Sequence, residues 1–236
     1  MILWQAILDF RFLLNRRYRS EFIYQLYVIG IKSLGVVSVV AMFTGMILAL
    51  QTGLELRKVG QEVNIGTAVM VSMLREMGPF MTALILAASV GSAMTAELGA
   101  MVISEEIPAL EVMSISPVRF LVMPRLAAIM IISPILTFYA SMLGVFGGMI
   151  VGYTQLGVSF QAYFENARQF AQNKDLYVGL FKAFVFGVMI TIICCYQGFS
   201  TTEGAVGVGR ATRHGVVISF LSVLIIGYII TRVFYR

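Results

Sequence analysis

Arg75, Glu76 and Lys182 are the residues of this sequence best suited to chemistry. Gly78 and Pro79 follow the first two, and a charge-free run opens directly after the third. A charge in an apolar layer costs about 2.5–3.5 kcal/mol on insertion scales, so such residues face a cavity or a partner. Arg75 and Glu76 project about 100° apart on a helix and cannot pair with each other. Neither cation has an acidic residue one helical turn away. Val71, Ser72, Gly78 and Pro79 flank Arg75, and Val178, Gly179, Val185 and Phe186 flank Lys182. Around one shared cavity the two cations would suit a phosphate headgroup, Arg through its forked donors. Glu76 would then orient them or pair with one. The alternative is snorkelling of both cations to an interface, with an ion pair to Glu76 from another helix.

Other chemistry finds less support. A metal centre needs clustered imidazoles, thiolates or carboxylates, and His214 is the only histidine. A serine nucleophile would need that histidine inside a cavity, whereas His214 opens an apolar run and suits a simple hydrogen-bonding role. Cys194 and Cys195 are adjacent, which disfavours an unstrained disulfide between them; they read as small packing residues. Gly204, Gly207 and Gly209 do not form a phosphate-binding G-x-x-x-x-G-K-[ST] loop. No nucleotide-hydrolysing site is expected in this chain, and energy for any active process must come from a partner or an ion gradient.

The elements that position these residues follow from composition. Of 236 residues 59% are hydrophobic and 12% charged, with mean hydropathy +0.89. Soluble domains carry about 25% charged residues, and disorder needs the opposite composition. An all-α integral membrane protein is predicted. The net charge of +5 fits lipid headgroups and the positive-inside bias rather than nucleic acid. Stretches free of Asp, Glu, Lys and Arg fall at 33–54, 77–96, 126–164, 183–202 and 214–231. These predict five spans, the third ending near Tyr153. Residues 1–22 do not read as a signal peptide. Ile2, Leu3, Ala6, Ile7, Phe10, Leu13 and Leu14 recur at helical spacing, followed by Arg16, Arg17 and Arg19. That pattern predicts an amphipathic interfacial helix over 1–22, ahead of a five-span membrane domain over 23–236.

Five spans put the termini on opposite sides. The basic cluster before the first span places the amino terminus in the cytoplasm and the carboxy terminus outside. Arg75, Glu76 and Lys182 then fall at the outer ends of spans two and four. The outer loop 157–175 carries Phe160, Tyr163, Phe164, Ala167, Phe170 and Ala171 at helical spacing, predicting an amphipathic helix on the outer surface. The inner loop 97–123 is acidic, with Glu97, Glu105, Glu106 and Glu111. Ile107, Leu110, Val112 and Met113 surround Glu111 there in a short helix that must dock on something. Small residues form rows at Ala87, Gly91, Thr95 and Gly99, at Ala88, Ser92, Ala96 and Ala100, and at Gly144, Gly148 and Gly152. Such rows let helices approach closely, within the monomer or between subunits.

Several segments in order resemble one family. They are 74–79 (LREMGP), 91–99 (GSAMTAELG), 105–113 (EEIPALEVM), 124–125 (PR), 179–182 (GLFK), 195–198 (CYQG) and 204–212 (GAVGVGRAT). Together they look like the signature of the MlaE (YrbE) permeases of bacterial ABC lipid transporters, over roughly residues 20–232. The resemblance implies a homodimer in the inner membrane, moving phospholipid between that membrane and the periplasmic lipid path and so maintaining outer-membrane lipid asymmetry. It implies a cytoplasmic ABC ATPase that holds ATP and Mg, a periplasmic MCE-domain protein, and a STAS-domain protein in some systems. It also implies a coupling helix within 100–113, which assigns ATPase docking to Glu97, Glu105, Glu106 and Glu111. Arg75, Glu76 and Lys182 match positions around the family's lipid pocket. The chain departs from the family's common residues at Ser89, Val102, Glu106, Pro108 and Gly227, and its docking loop is more acidic than usual. The rival readings are an ion-coupled secondary transporter or channel, which would use intramembrane carboxylates in two related halves, and a membrane scaffold for a periplasmic lipid-binding complex.

Overall fold

In a computed structural model, which describes residues 16–170 and 172–235, the apolar runs become five membrane-length helices. We label the elements α1 (Ser20–Lys58), α2 (Glu62–Ile103), α3 (Glu106–Val112), α4 (Val118–Leu156), α5 (Phe160–Phe170), α6 (Asn173–Phe199) and α7 (Gly204–Phe234). The described residues contain no strand. The predicted interfacial helix over 1–22 lies mostly outside the described residues; its last residues, from Arg16, are helical and run into α1.

The helices are longer than their charge-free cores. α2 has 42 residues, whereas about 20 cross a bilayer core. It starts at Glu62 rather than at Met77, so Arg75 and Glu76 lie well inside it and not at its outer start. Lys182 likewise lies inside α6, which starts at Asn173. The sequence expectation placed these residues at helix ends because a charge was taken to close a span. A charge with a partner need not, since pairing offsets the cost of holding it in an apolar helix.

Two π-helical turns interrupt α2, at Met73–Met77 and Ala87–Gly91, and another opens α4 at Val118–Val122. Such wide turns shift the register of everything that follows by about 100°, the angle of one residue. The chain divides into two compact units, and each long helix contributes to both. One unit holds Ala83–Ser133, Phe184–Ile229 and the first described residues through Ser33. The other holds Leu34–Thr82, Pro134–Ala183 and the residues from Ile230 onward.

In the first unit the row Gly91, Thr95, Gly99 packs against α6 and the start of α7. A Cβ on Gly91 would lie 2.8 Å from Cys194 Sγ, and one on Gly99 would lie 2.9 Å from Thr201 Oγ1. Thr95 Oγ1 donates to the Cys194 carbonyl at 3.0 Å. The row is therefore a packing seam within the monomer. In the second unit the Gly144, Gly148, Gly152 row does the same work. Gly144 meets Met73 and the Ala41 carbonyl of α1, and Gly148 and Gly152 meet Tyr163.

Ala49, Ile65, Val69, Met73, Val145 and Tyr163 fill the core of that second unit. Tyr163 and Ala167 of α5 are buried, while Phe160 and Phe164 are exposed. The outer loop thus forms a helix over Phe160–Phe170, and of the apolar positions named from its spacing Tyr163 and Ala167 make its packed face. The opening is made by Gly66, whose missing side chain admits the Tyr163 carbonyl, and the Tyr163 hydroxyl donates to the Val145 carbonyl at 3.3 Å. The Ala171 part of the prediction lies outside the described residues. Val36, Val39, Phe43 and Ile47 leave an exposed apolar stripe on α1, the surface a lipid-facing helix presents.

Candidate functional site

Arg75, Glu76, Asp175 and Lys182 form one connected cluster in the second unit. It begins with a backbone defect. Pro79 has no N–H to give the carbonyl four residues back, which belongs to Arg75. Lys182 Nζ donates to that oxygen at 2.9 Å. α6 comes close enough because Gly179, one turn before Lys182, takes the Leu74 carbonyl where a side chain would stand.

Lys182 is 1% exposed and uses its other two donors on Glu76 Oε1 at 2.6 Å and Thr231 Oγ1 at 2.7 Å. Its three ammonium hydrogens therefore have three protein acceptors. Thr231 passes its own hydrogen to Glu76 Oε1 at 2.7 Å. Arg75 is arranged differently. Its Nε donates to Asp175 Oδ1 at 2.6 Å, and its Cζ lies 4.4 Å from the centre of the Tyr235 ring. Among the described residues its terminal nitrogens have no acceptor, and its side chain is 36% exposed.

The sequence analysis gave Arg75 and Lys182 one task; the geometry separates a saturated cation from one with open donors. It also brings in residues the sequence analysis did not single out. Asp175 is buried and accepts from Arg75, from Tyr235 Oη at 2.8 Å and from the Gln172 N–H at 3.4 Å. Burial and the neighbouring Asp175 carboxylate push the Tyr235 phenol above its ordinary range, which keeps it a donor. Asp175, Gly179 and Lys182 follow one another at four- and three-residue steps, which is one helix face. That spacing is visible in the sequence, two turns from Lys182 rather than one. Tyr235 and Thr231 carry no such local signal, because α7 is brought to α6 only by the fold.

In the first unit the acidic residues separate as well. Glu97 lies on α2, not in a loop, and accepts from Arg125 Nη2 at 2.7 Å. Glu106 accepts from the Ser104 hydroxyl at 3.0 Å. Glu105 and Glu111 are exposed and have no ion-pair partner among the described residues. α3 is bracketed by two non-glycine residues in the left-handed region, Glu105 at φ 61° and Ser114 at φ 58°. Ile107 anchors it from below, while Val112 is 87% exposed and Met113 is 61% exposed. His214 lines an open polar cleft of about 220 Å³ together with Gln197, Thr202 and Arg210, and Arg210 pairs with Glu203 at 2.8 Å.

Comparison with known proteins gives consistent matches over nearly the whole chain. Residues 22–233 match the family model described as Permease MlaE. A probable ABC transporter permease protein of Rickettsia prowazekii is 40% identical over 219 residues, covering 93% of this chain and 85% of the relative. A probable ABC transporter permease protein of Synechocystis is 34% identical over 223 residues, covering 94% and 84%. The intermembrane phospholipid transport system permease protein MlaE of Haemophilus influenzae is 34% identical over 223 residues, covering 93% and 85%.

Proposed function

Because the chain belongs to the MlaE permease family, we propose that it is the membrane subunit of an ATP-driven phospholipid transporter of the bacterial inner membrane. It works as a homodimer, serves the lipid path between that membrane and the periplasm, and so maintains outer-membrane lipid asymmetry. A separate cytoplasmic ATPase holds ATP and Mg and hydrolyses the nucleotide, and an MCE-domain protein, with or without a STAS-domain protein, completes the complex. The observation that supports this reading best is the Arg75 guanidinium, whose terminal nitrogens are open on a helix of membrane length.

The mechanism divides between two regions. The Arg75, Glu76 and Lys182 cluster lies toward the periplasmic side, and within it Arg75 meets the lipid headgroup while Lys182 and Glu76 hold the helices around it. Its apolar surroundings accept acyl chains, and Arg75 supplies paired donors to phosphate oxygens. α3 lies on the cytoplasmic side. Glu105, Glu106 and Glu111 face basic residues of the ATPase, and exposed Val112 and Met113 give the contact an apolar centre. Glu97, held by Arg125, links the foot of α2 to the start of α4 and passes displacement of α3 into the helices.

Reconstitution tests the reading. The chain, co-assembled with its ATPase in vesicles containing a fluorescent phospholipid, should transfer lipid only when ATP is hydrolysed. Transfer driven by an ion gradient without the ATPase would instead establish a secondary transporter. Full ATP-driven transfer after Arg75→Ala would remove the lipid site from Arg75, and no transfer by the assembled wild type would leave only a scaffold.

A further inference from the structure

Arg75 is held at one end only. Of the five N–H donors of a guanidinium, the Nε–H goes to Asp175, and the face of the group lies over Tyr235. The four donors on the terminal nitrogens have no acceptor among the described residues. The anchor is itself fixed: Asp175 is 0% exposed, and Tyr235 and the Gln172 N–H hold its oxygens. Asp175 cannot receive a ligand, and Lys182, with three acceptors for three hydrogens, has no donor to offer one.

An arginine free to rotate loses much rotamer freedom when it grips an anion, and a group already set in place avoids that loss. We propose that Asp175, steadied by Tyr235, is a positioning residue that presets Arg75 so that its terminal nitrogens receive the phosphate diester of a lipid, while Lys182 only braces the helices. This rests on the phospholipid reading above and adds to it: the phosphate contact has one cation, and its precision comes from a carboxylate that never touches the ligand. Asp175 and Tyr235 act from the start of α6 and the residue after α7, so the arrangement requires both segments to be in place.

The test uses the purified full chain in detergent with two photo-crosslinking probes of identical acyl chains, a phosphatidylglycerol and a diacylglycerol. Wild type should retain the phosphatidylglycerol more tightly. Asp175→Asn should weaken its retention roughly tenfold, the scale of one lost charge-assisted hydrogen bond, and leave diacylglycerol retention alone. Tyr235→Phe, which keeps the ring and loses the donor, should weaken it about two- to fivefold. This variant keeps the test open if Asp175→Asn folds poorly. Neither change should add to the loss in an Arg75→Gln background, because each acts through Arg75. Lys182→Met paired with Glu76→Met should keep the phosphate preference.

Wild-type preference in both Asp175→Asn and Tyr235→Phe, or losses that add fully to Arg75→Gln, would overturn the positioning role. Loss of the preference in the Lys182 and Glu76 double variant would overturn the brace. Displacement of the probe by millimolar inorganic phosphate, dependent on Arg75, would assign the donors to a soluble anion and overturn the lipid source. Absence of any phosphatidylglycerol preference in wild type would instead remove the phospholipid reading itself.

Discussion

Two cations that look alike in sequence differ in what their removal should cost. Lys182 is enclosed, and its loss strands Glu76 and the Arg75 carbonyl. Removing one partner of a buried pair costs about 3–5 kcal/mol, and partial exposure of Glu76 places this case toward the lower value. Lys182→Met should therefore lower the unfolding temperature in detergent clearly, and adding Glu76→Met should restore part of it. A double variant no more stable than Lys182→Met alone would contradict the pairing. Arg75→Ala should behave in the opposite sense, with a smaller change in unfolding temperature and a larger loss of retained phospholipid, measured by mass spectrometry of the purified protein. Asp175 was visible in sequence as a residue on the Lys182 face of α6, but its pairing with Arg75, 100 positions away, was not. The third acceptor of Lys182, Thr231, was not visible either, because 49 positions separate the two.

Helix packing gives a matched comparison within α1. A Cβ on Gly45 would strike the Gly144 backbone, which cannot rotate away, whereas one on Gly35 meets nothing within 4 Å. Overpacking of this kind costs about 1–3 kcal/mol, and an unobstructed glycine-to-alanine change in a helix gains roughly 0.5–1 kcal/mol. Gly45→Ala should thus lower the unfolding temperature in detergent while Gly35→Ala leaves it unchanged or raises it. Equal effects would mean that α1 and α4 do not meet at these residues. The loop around α3 carries a second prediction. Single exposed ion pairs contribute about 0.2–1 kcal/mol, so one substitution is too small to read. Glu105→Lys with Glu111→Lys should lower co-purification of the ATPase and lipid-stimulated hydrolysis together. Full assembly and coupling in that variant would move the docking surface elsewhere. The glycine rows were visible as spacing, but whether they faced the monomer or a second subunit depended on which helix came to meet them.

For the whole molecule, five membrane-length helices among the described residues lead to the expectation that the two ends of the chain lie on opposite sides. A reporter active only in the cytoplasm should be silent when fused after Arg236 and active when fused in the α3 loop. The reverse pattern would invert the orientation, and with it the sides assigned to the charge cluster and to α3. Lipid transfer should also need both regions at once. Arg75→Ala should leave ATPase assembly intact while slowing transfer, and the α3 double variant should do the converse for lipid retention. Loss of both properties in either variant would show that the two regions are not separable.

Composition alone determined that this chain enters a membrane, since too few charged residues remain to cover a soluble surface. Hydrophobic run length determined the number of spans, and sequence motifs determined the family. Span boundaries were misplaced because a charge ends an apolar run in sequence, whereas a paired charge does not end a helix in space. Only the tertiary structure could decide that. It also decided that Lys182 is saturated and Arg75 open, because the acceptors come from other helices: Glu76 of α2 and Thr231 of α7 for Lys182, and buried Asp175 of α6 for Arg75. Side-chain type states which bonds a residue can make; packing of distant segments states which of them are already used.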